Sequence, residues 1–299
     1  MPMKTPITLI TGYLGAGKTT LLRNILGSAD RKMAVLMNEF GKIAIDSKVV
    51  KGKDIDMIEM KGGCVCCSLT GEFEAAIKEI REKINPELIV IETTGVAEPD
   101  AIIGDLSEID GVRLDAVITV VDADAMKKFP SLGFTGRVQI EMADIVILNK
   151  TDLVNDEELA KIEGLIKGIN TKAEIIRTVN CKVDLDLILD LNVAKKTPGK
   201  REHDHHVEES GMTSMAYRSE KKLRKSMLED FLYSMPPDVI RAKGFVVLEE
   251  GSFLMNFVFG RFDFEKFDAD KNELVFIGRN MKDHEDKILD GLRKCELIE

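Results

Sequence analysis

The residues best suited to chemistry in this chain lie in four short groups. The first is GYLGAGKTT, in which Gly12, Gly15, Ala16, Gly17, Lys18, Thr19 and Thr20 form a candidate phosphate-binding set. Its glycines free the backbone to turn successive N–H groups toward one anion, and a helix beginning near Lys18 adds the positive end of its dipole. Lys18 would reach the β- and γ-phosphates as a mobile point charge, and the Thr19 hydroxyl would coordinate Mg²⁺. A glycine turn with a stray lysine is the bland alternative. The apolar strand expected before the loop, and the helix after it carrying Leu21, Leu22, Ile25 and Leu26, meet the context a phosphate loop requires.

The second group is Asn149-Lys150-Thr151-Asp152. A carboxylate at Asp152 can accept from both N1–H and the 2-amino group of guanine, whereas adenine offers neither donor and would leave the acid desolvated and unmatched. GTP is therefore expected over ATP, with Asn149 on the other edge of the base and Lys150 along it. The third group is Glu92-Thr93-Thr94-Gly95. Glu92 ends an apolar run where a carboxylate would sit beside Mg²⁺ or orient water, and Gly95 would allow close approach to the γ-phosphate. Lys18 and Glu92, with Asp46 as a weaker candidate, make up the expected catalytic set.

The fourth group is Cys64, Cys66 and Cys67, three of five cysteines within four positions. Bridging them to one another would strain disulfide geometry, and clustered thiols in a long chain more often bind metal or do redox chemistry. Thiolates suit Zn²⁺, Co²⁺ or Cu⁺, and a position just before a helix favours the deprotonated form. No second CxxC follows, so an open or shared site fits better than a closed four-thiolate one. Glu39 could add an oxygen ligand. Thiol redox chemistry and inert reduced cysteines remain alternatives. Cys181 and Cys295 stand apart and read as structural. His203, His205 and His206 are three of only four histidines; a solvated linker and an auxiliary metal-capture arm are equally good readings of them.

These groups need elements to hold them. Ile7–Gly12, Met33–Asn38 and residues 87–95, 116–123, 144–152 and 173–180 read as buried strands with polar residues at their ends, and Ile55–Met60, which alternates, as a further strand. The segment after Asn38, containing Glu39, Lys42 and Asp46, has the character of a switch loop. Phe73, Ile77, Ile80 and Ile84 recur at helical spacing before Asn85-Pro86. Buried strands alternating with helices imply an α/β fold: a mostly parallel P-loop sheet with helices on both faces and a ligand crevice at the strands' carboxyl ends. After a polar stretch with Thr197-Pro198-Gly199, the chain reads as a smaller α+β domain with an antiparallel sheet. Its strands fall at 212–221, 240–250, 252–267 and 273–280, and its helices at 222–234 and 284–295. The expected organisation is a nucleotide domain over 1–181, a His-containing linker over 182–212 and a second domain over 213–299.

With 299 residues, about two domains are expected. A net charge of −10 argues against nucleic acid or an anionic membrane as partner. No run approaches the roughly 18 to 20 apolar residues that span a bilayer, and the start lacks a signal-like leader, so a cytoplasmic location is expected.

GYLGAGKTTLL, NEFG, GGCVCC, ETTG and NKTD, in this order, resemble the CobW-type metallochaperone GTPases, relatives of the urease- and hydrogenase-maturation GTPases in the SIMIBI class of P-loop proteins. DVIRAKGFVVLEE and ELVFIGRN are similar to that family's C-terminal domain. The resemblance implies that Cys64, Cys66 and Cys67 bind the delivered metal and that GTP binding is coupled to metal binding. The family often has an acid shortly after NEFG; here the residue is Lys42. The expected activity is GTP hydrolysis, with Mg²⁺, that loads Zn²⁺ or, next, Co²⁺ onto a client protein or cofactor pathway; a homodimer is left open. Without an arginine finger in the sequence, unassisted turnover should be slow, roughly 10⁻⁴ to 10⁻² per second. Two rivals remain: a metal-storage or sensing module with nucleotide as a structural ligand, and an ATP-dependent kinase or ligase with a redox cysteine loop.

Overall fold

The computed structural model describes residues 3–28, 32–37, 55–59, 70–95, 99–130, 132–189, 212–258 and 260–297. The chain divides into two compact units, one of residues 4–190 and one of residues 191–299 with residues 1–3.

The first unit is built on a seven-stranded sheet. Its strands are β1 (Thr5–Gly12), β2 (Met33–Met37), β3 (Ile55–Glu59), β4 (Leu88–Glu92), β5 (Val112–Asp122), β6 (Ile145–Asn149) and β7 (Glu174–Thr178). They lie in the order β3-β2-β4-β1-β5-β6-β7, and every neighbouring pair is parallel. All of β4 and β6 is buried, as expected of strands covered on both faces. Parallel neighbours need crossover helices, which here are α1 (Lys18–Ser28), α2 (Thr70–Lys83), α3 (Pro99–Glu108), α4 (Ala123–Lys128), α5 (Gly133–Glu141) and α6 (Asp156–Ile169). From β1 the chain moves one way to β2, and from β3 onward it moves the other way. Right-handed crossovers therefore set α1 on one face and α2 to α6 on the opposite one. On that opposite face Ile7, Leu9, Leu36 and Ile91 pack with Phe73, Ile77 and Ile80 of α2 and Ile102 and Leu106 of α3. Further along it, Val146 and Leu148 pack with Leu159, Ile162 and Ile166 of α6. The order reverses at β1, and a sheet of this kind opens its crevice beyond the carboxyl end of such a strand.

Strand β5 begins at Val112, earlier than the apolar run from Ala116 had indicated. The added turn of strand carries charge, but Arg113 and Asp115 are paired at 3.4 Å and Thr8 Oγ1 donates to Asp115 at 3.4 Å, so burial is compensated. The first unit also continues past Cys181, through α7 (Leu185–Ile188), whose Leu187 and Ile188 are buried.

The second unit holds an antiparallel sheet of β8 (Met212–Ser219), β9 (Val239–Leu248), β10 (Gly251–Val258), β11 (Arg261–Lys266) and β12 (Asn272–Arg279), ordered β11-β10-β9-β12-β8. Helices α8 (Lys225–Tyr233) and α9 (Met281–Cys295) contribute Leu228, Leu232, Ile288 and Leu292 to a core with Met255, Phe257 and Phe276. Two details differ from the sequence reading. The run 252–267 is a hairpin of two strands, Phe253 pairing with Lys266 and Val258 with Arg261, because the chain turns at Gly260, whose φ of +82° few other residues adopt. The last helix starts at Met281, whose N–H donates to Thr213 Oγ1 at 3.0 Å.

Candidate nucleotide site

Strand β1 delivers the chain into the loop Gly12–Gly17, and α1 begins at Lys18. Gly17 has a φ of +119°, and a Cβ there would lie 2.6 Å from Asn149 Nδ2 and 2.9 Å from Cys181 Sγ. Only a residue without a side chain lets the loop pass that close. At the tip, Gly15 opens onto a space in which no described atom comes within 4 Å of a built Cβ, and Tyr13 and Leu14 are exposed beside it. Lys18 is buried, and its Nζ donates to Gly12 O at 2.8 Å and Tyr13 O at 3.2 Å, which arches the ammonium over its own loop.

The register of β1 and β4 pairs Ile10 with Glu92, so the acid ends level with the start of the phosphate loop. Thr19 Oγ1 donates to Glu92 Oε1 at 3.0 Å. A hydroxyl and a buried carboxylate thus meet at the foot of the loop, and oxygens are what a hard divalent cation takes. The next turn packs against the loop: Thr93 N–H donates to Ile10 O at 2.9 Å, and a Cβ on Gly95 would stand 2.7 Å from Leu14 N. Thr94 Oγ1 is buried without a hydrogen-bond partner among the described residues. Gln139 of α5, which the sequence did not single out, is buried and donates to Gly95 O at 3.3 Å.

At the other end of the crevice, β5 and β6 finish together, Asp122 beside Asn149. Asn149 is buried and its carboxamide is largely taken up by protein. Nδ2 donates to Ala16 O at 2.9 Å, and Oδ1 accepts from Cys181 N–H at 2.9 Å and Thr178 Oγ1 at 3.2 Å. Three of its four hydrogen-bonding positions are thereby filled. Asn149 therefore acts as a bracket between the phosphate loop and the turn after β7. Lys150 takes a φ of +62° and pairs with Asp122 at 2.5 Å. Asp152 follows in an exposed single turn, Thr151–Leu153. Asp122 was missed, although an acid at the end of an apolar run is the signal that identified Glu92. Cys181 is buried, its thiol donates to Gly17 O at 3.4 Å, and burial pushes its pKa up to about 12. An unreactive, structural thiol is the result.

The structure thus brings together Gly12, Gly15, Ala16, Gly17, Lys18, Thr19, Thr20, Glu92, Asn149, Lys150 and Asp152 along one edge of the sheet. Glu39, Lys42, Asp46, Cys64, Cys66, Cys67 and His203, His205 and His206 lie outside the described residues. Among the described residues no three His, Cys, Asp or Glu side chains gather to hold a metal ion, and no helix is long and apolar enough to cross a membrane.

Residues 6–177 match the family model described as CobW/HypB/UreG, nucleotide-binding domain, and residues 212–296 match the Cobalamin synthesis protein cobW C-terminal domain. Among similar proteins, the Zinc-regulated GTPase metalloprotein activator 1 of Dictyostelium discoideum is 29% identical over 297 residues, covering 81% of this chain and 62% of that protein. The Zinc chaperone CobW of Sinorhizobium sp is 32% identical over 237 residues, covering 68% of this chain and 67% of its own length. The chain therefore spans about two thirds of the length of these relatives. The crystal structure of Zn(II)-bound YjiA GTPase from E. coli superposes with a TM-score of 0.50 at 24% identity, covering 99% of this chain and 100% of that one, a likeness of fold.

Proposed function

The chain belongs to the CobW/HypB/UreG family, and on that premise we propose that it is a cytoplasmic GTPase that binds a transition metal and passes it to a client metalloprotein. The metal is Zn²⁺ first and Co²⁺ second, held by Cys64, Cys66 and Cys67 with Glu39 as an oxygen donor. The observation that carries the nucleotide half is the junction at the foot of the loop: Lys18 arched over Gly12, and Thr19 bonded to Glu92 at 3.0 Å. Released from its loop carbonyls, Lys18 offsets charge on the β- and γ-phosphates. Thr19 and Glu92 would hold Mg²⁺, which when bound neutralises phosphate charge. Asn149 ties this end to the segment bearing Asp152, which selects guanine.

The metal half is supported by the donor chemistry of three clustered thiols and by zinc-named relatives. In sequence the cysteines lie between the segment containing Glu39 and the strand ending in Glu92, so a bound triphosphate can order both together and complete the metal site. Coupling requires a difference in metal affinity between nucleotide states. The test is a titration of the full chain with Zn²⁺, Co²⁺ and Ni²⁺ in the presence of GTP, of GDP and of no nucleotide. Tighter binding with GTP, abolished by Cys66→Ala, is expected. Equal affinity in all three states would overturn metal delivery, and equal affinity for GTP and ATP in competition would favour the kinase or ligase alternative.

A further inference from the structure

We propose that Asn24 is a positioning residue for guanine selection: its carboxamide fixes the turn after β7 against α1, and through that turn it fixes Asn149 and the segment carrying Asp152. The inference rests on the nucleotide reading above and extends it to a residue that no motif contains.

Asn24 lies on α1 two turns beyond the phosphate loop, on the same side as Gly17 and Thr20 by the i, i+3, i+7 spacing of a helix. Its Nδ2 donates to Asn180 O and to Cys181 O, both at 2.9 Å, so one amide uses both of its N–H groups on consecutive carbonyls. Those two residues each have a φ of +53°, the left-handed region that side chains with a Cβ disfavour. Adjacent residues in that region persist only where the surroundings hold them.

Peptide planarity supplies the link to the base end. Within the peptide joining Asn180 and Cys181, C=O and N–H point in opposite directions. Drawing the Asn180 carbonyl toward Asn24 therefore aims the Cys181 N–H the other way, and it donates to Asn149 Oδ1 at 2.9 Å. Thr178 adds a second donor to the same oxygen at 3.2 Å, and Thr151 Oγ1 donates back to Thr178 O at 3.1 Å. On its remaining side the turn rests on the phosphate loop through the Cys181 thiol and Gly17 O, 3.4 Å apart. Asn24 thus joins the helix that would carry the phosphates to the segment that would read the base, alongside the contacts of Asn149 and the Cys181 thiol with the loop. Without its two donors the left-handed pair loses the contacts that draw its carbonyls toward α1, the Cys181 N–H is held less firmly, and its bond to Asn149 weakens.

The experiment compares full-length wild type, Asn24→Ala, Asn24→Asp and Asp152→Ala for equilibrium affinity toward GTP and ATP, with the unfolding midpoint of each nucleotide-free protein. Asn24→Asp keeps the shape but sets a carboxylate against two carbonyls. Should it fail to fold, Asn24→Ala carries the test. The expected result is a loss of about tenfold in GTP affinity, two hydrogen bonds being removed, with ATP affinity unchanged. The GTP-to-ATP ratio then narrows in both variants. A ratio equal to wild type overturns the proposal, including the case in which both affinities fall together, as a purely structural role would have it. If Asp152→Ala collapses the ratio and the Asn24 variants do not, Asn24 alone is misassigned; if wild type shows no preference for GTP, the guanine reading itself fails.

Discussion

In the first unit Thr8, Asp115 and Thr119 are buried within β1 and β5, but Lys18, Glu92, Asn149 and Thr178 are buried where parallel strands end or just beyond, whereas in the second unit Arg241, Lys243 and Asn256 lie within strands of an antiparallel sheet and Asn272 at the start of one. The contrast follows from strand direction. Parallel strands bring all their carboxyl ends to one edge, so the turns after β1, β4, β6 and β7 meet there and their side chains can act on one ligand. Antiparallel strands send alternate ends to opposite edges, and their polar residues are used for internal support. Asn272 illustrates this: Nδ2 donates to Ser219 O at 3.0 Å and Lys221 O at 2.7 Å, while Oδ1 accepts from Val247 N–H at 2.8 Å, binding three segments of its own unit. The candidate nucleotide residues are gathered in the first unit, and the second unit has a core of its own rich in aromatic residues.

The most severe way to break that division is Lys18→Ala. GTP turnover should fall by about a hundredfold or more, the scale of losing one charge-stabilising donor, while the unfolding midpoint changes little; retained turnover would remove the phosphate loop from the chemistry. A second test uses thiols, since each unit holds a buried free cysteine. Burial pushes the Cys181 thiol up to about 12 and the Cys295 thiol up to about 11, so neither has appreciable thiolate near neutrality. Site-resolved alkylation of the native protein at pH 7.5 should leave both untouched while Cys64, Cys66 and Cys67 react and Zn²⁺ protects them. Rapid labelling of Cys181 would contradict its place under the phosphate loop.

The smallest expected effect concerns the second unit. Glu296 accepts from Tyr217 Oη at 3.0 Å and Ser219 Oγ at 2.9 Å, and pairs with Lys221 at 3.1 Å. Burial pulls its pKa upward, but these hydrogen bonds outweigh burial and hold it below the usual carboxylate range. A depressed folded pKa contributes stability that is present above the unfolded value and lost as pH falls through the folded one. Urea midpoints should therefore drop on acidification from about pH 5 to about pH 3, and Glu296→Gln should flatten that drop slightly without altering nucleotide affinity. Parallel acid limbs for the two proteins would show that Glu296 contributes nothing through its charge.

Much of this architecture was legible in the residues. Runs such as LIVIE and IVILN are buried on both faces, so nothing interrupts their apolar character, and the phosphate loop is a local pattern whose glycines constrain their own backbone. Legibility failed where burial and charge were combined. The first turn of β5 contains Arg113 and Asp115, which compensate each other only once Thr8 has come alongside. It failed also at the β10–β11 hairpin, where aromatic residues run straight through the reversal at Gly260. Gln139 and Asn24 carried no signal, because their partners are 44 and 156 positions away along the chain.

Residue types and spacing by themselves determined which segments are candidates to bind a phosphate, select guanine or ligate a soft metal, because such capacities reside in a few neighbouring side chains and the backbone angles they permit. The assembly of those segments was decided by tertiary structure. Thr19 reaches Glu92 across 73 positions and Asn149 reaches Ala16 across 133. Both contacts depend on the register of parallel strands, and register is set by burying whole faces of the sheet under helices rather than by any single motif.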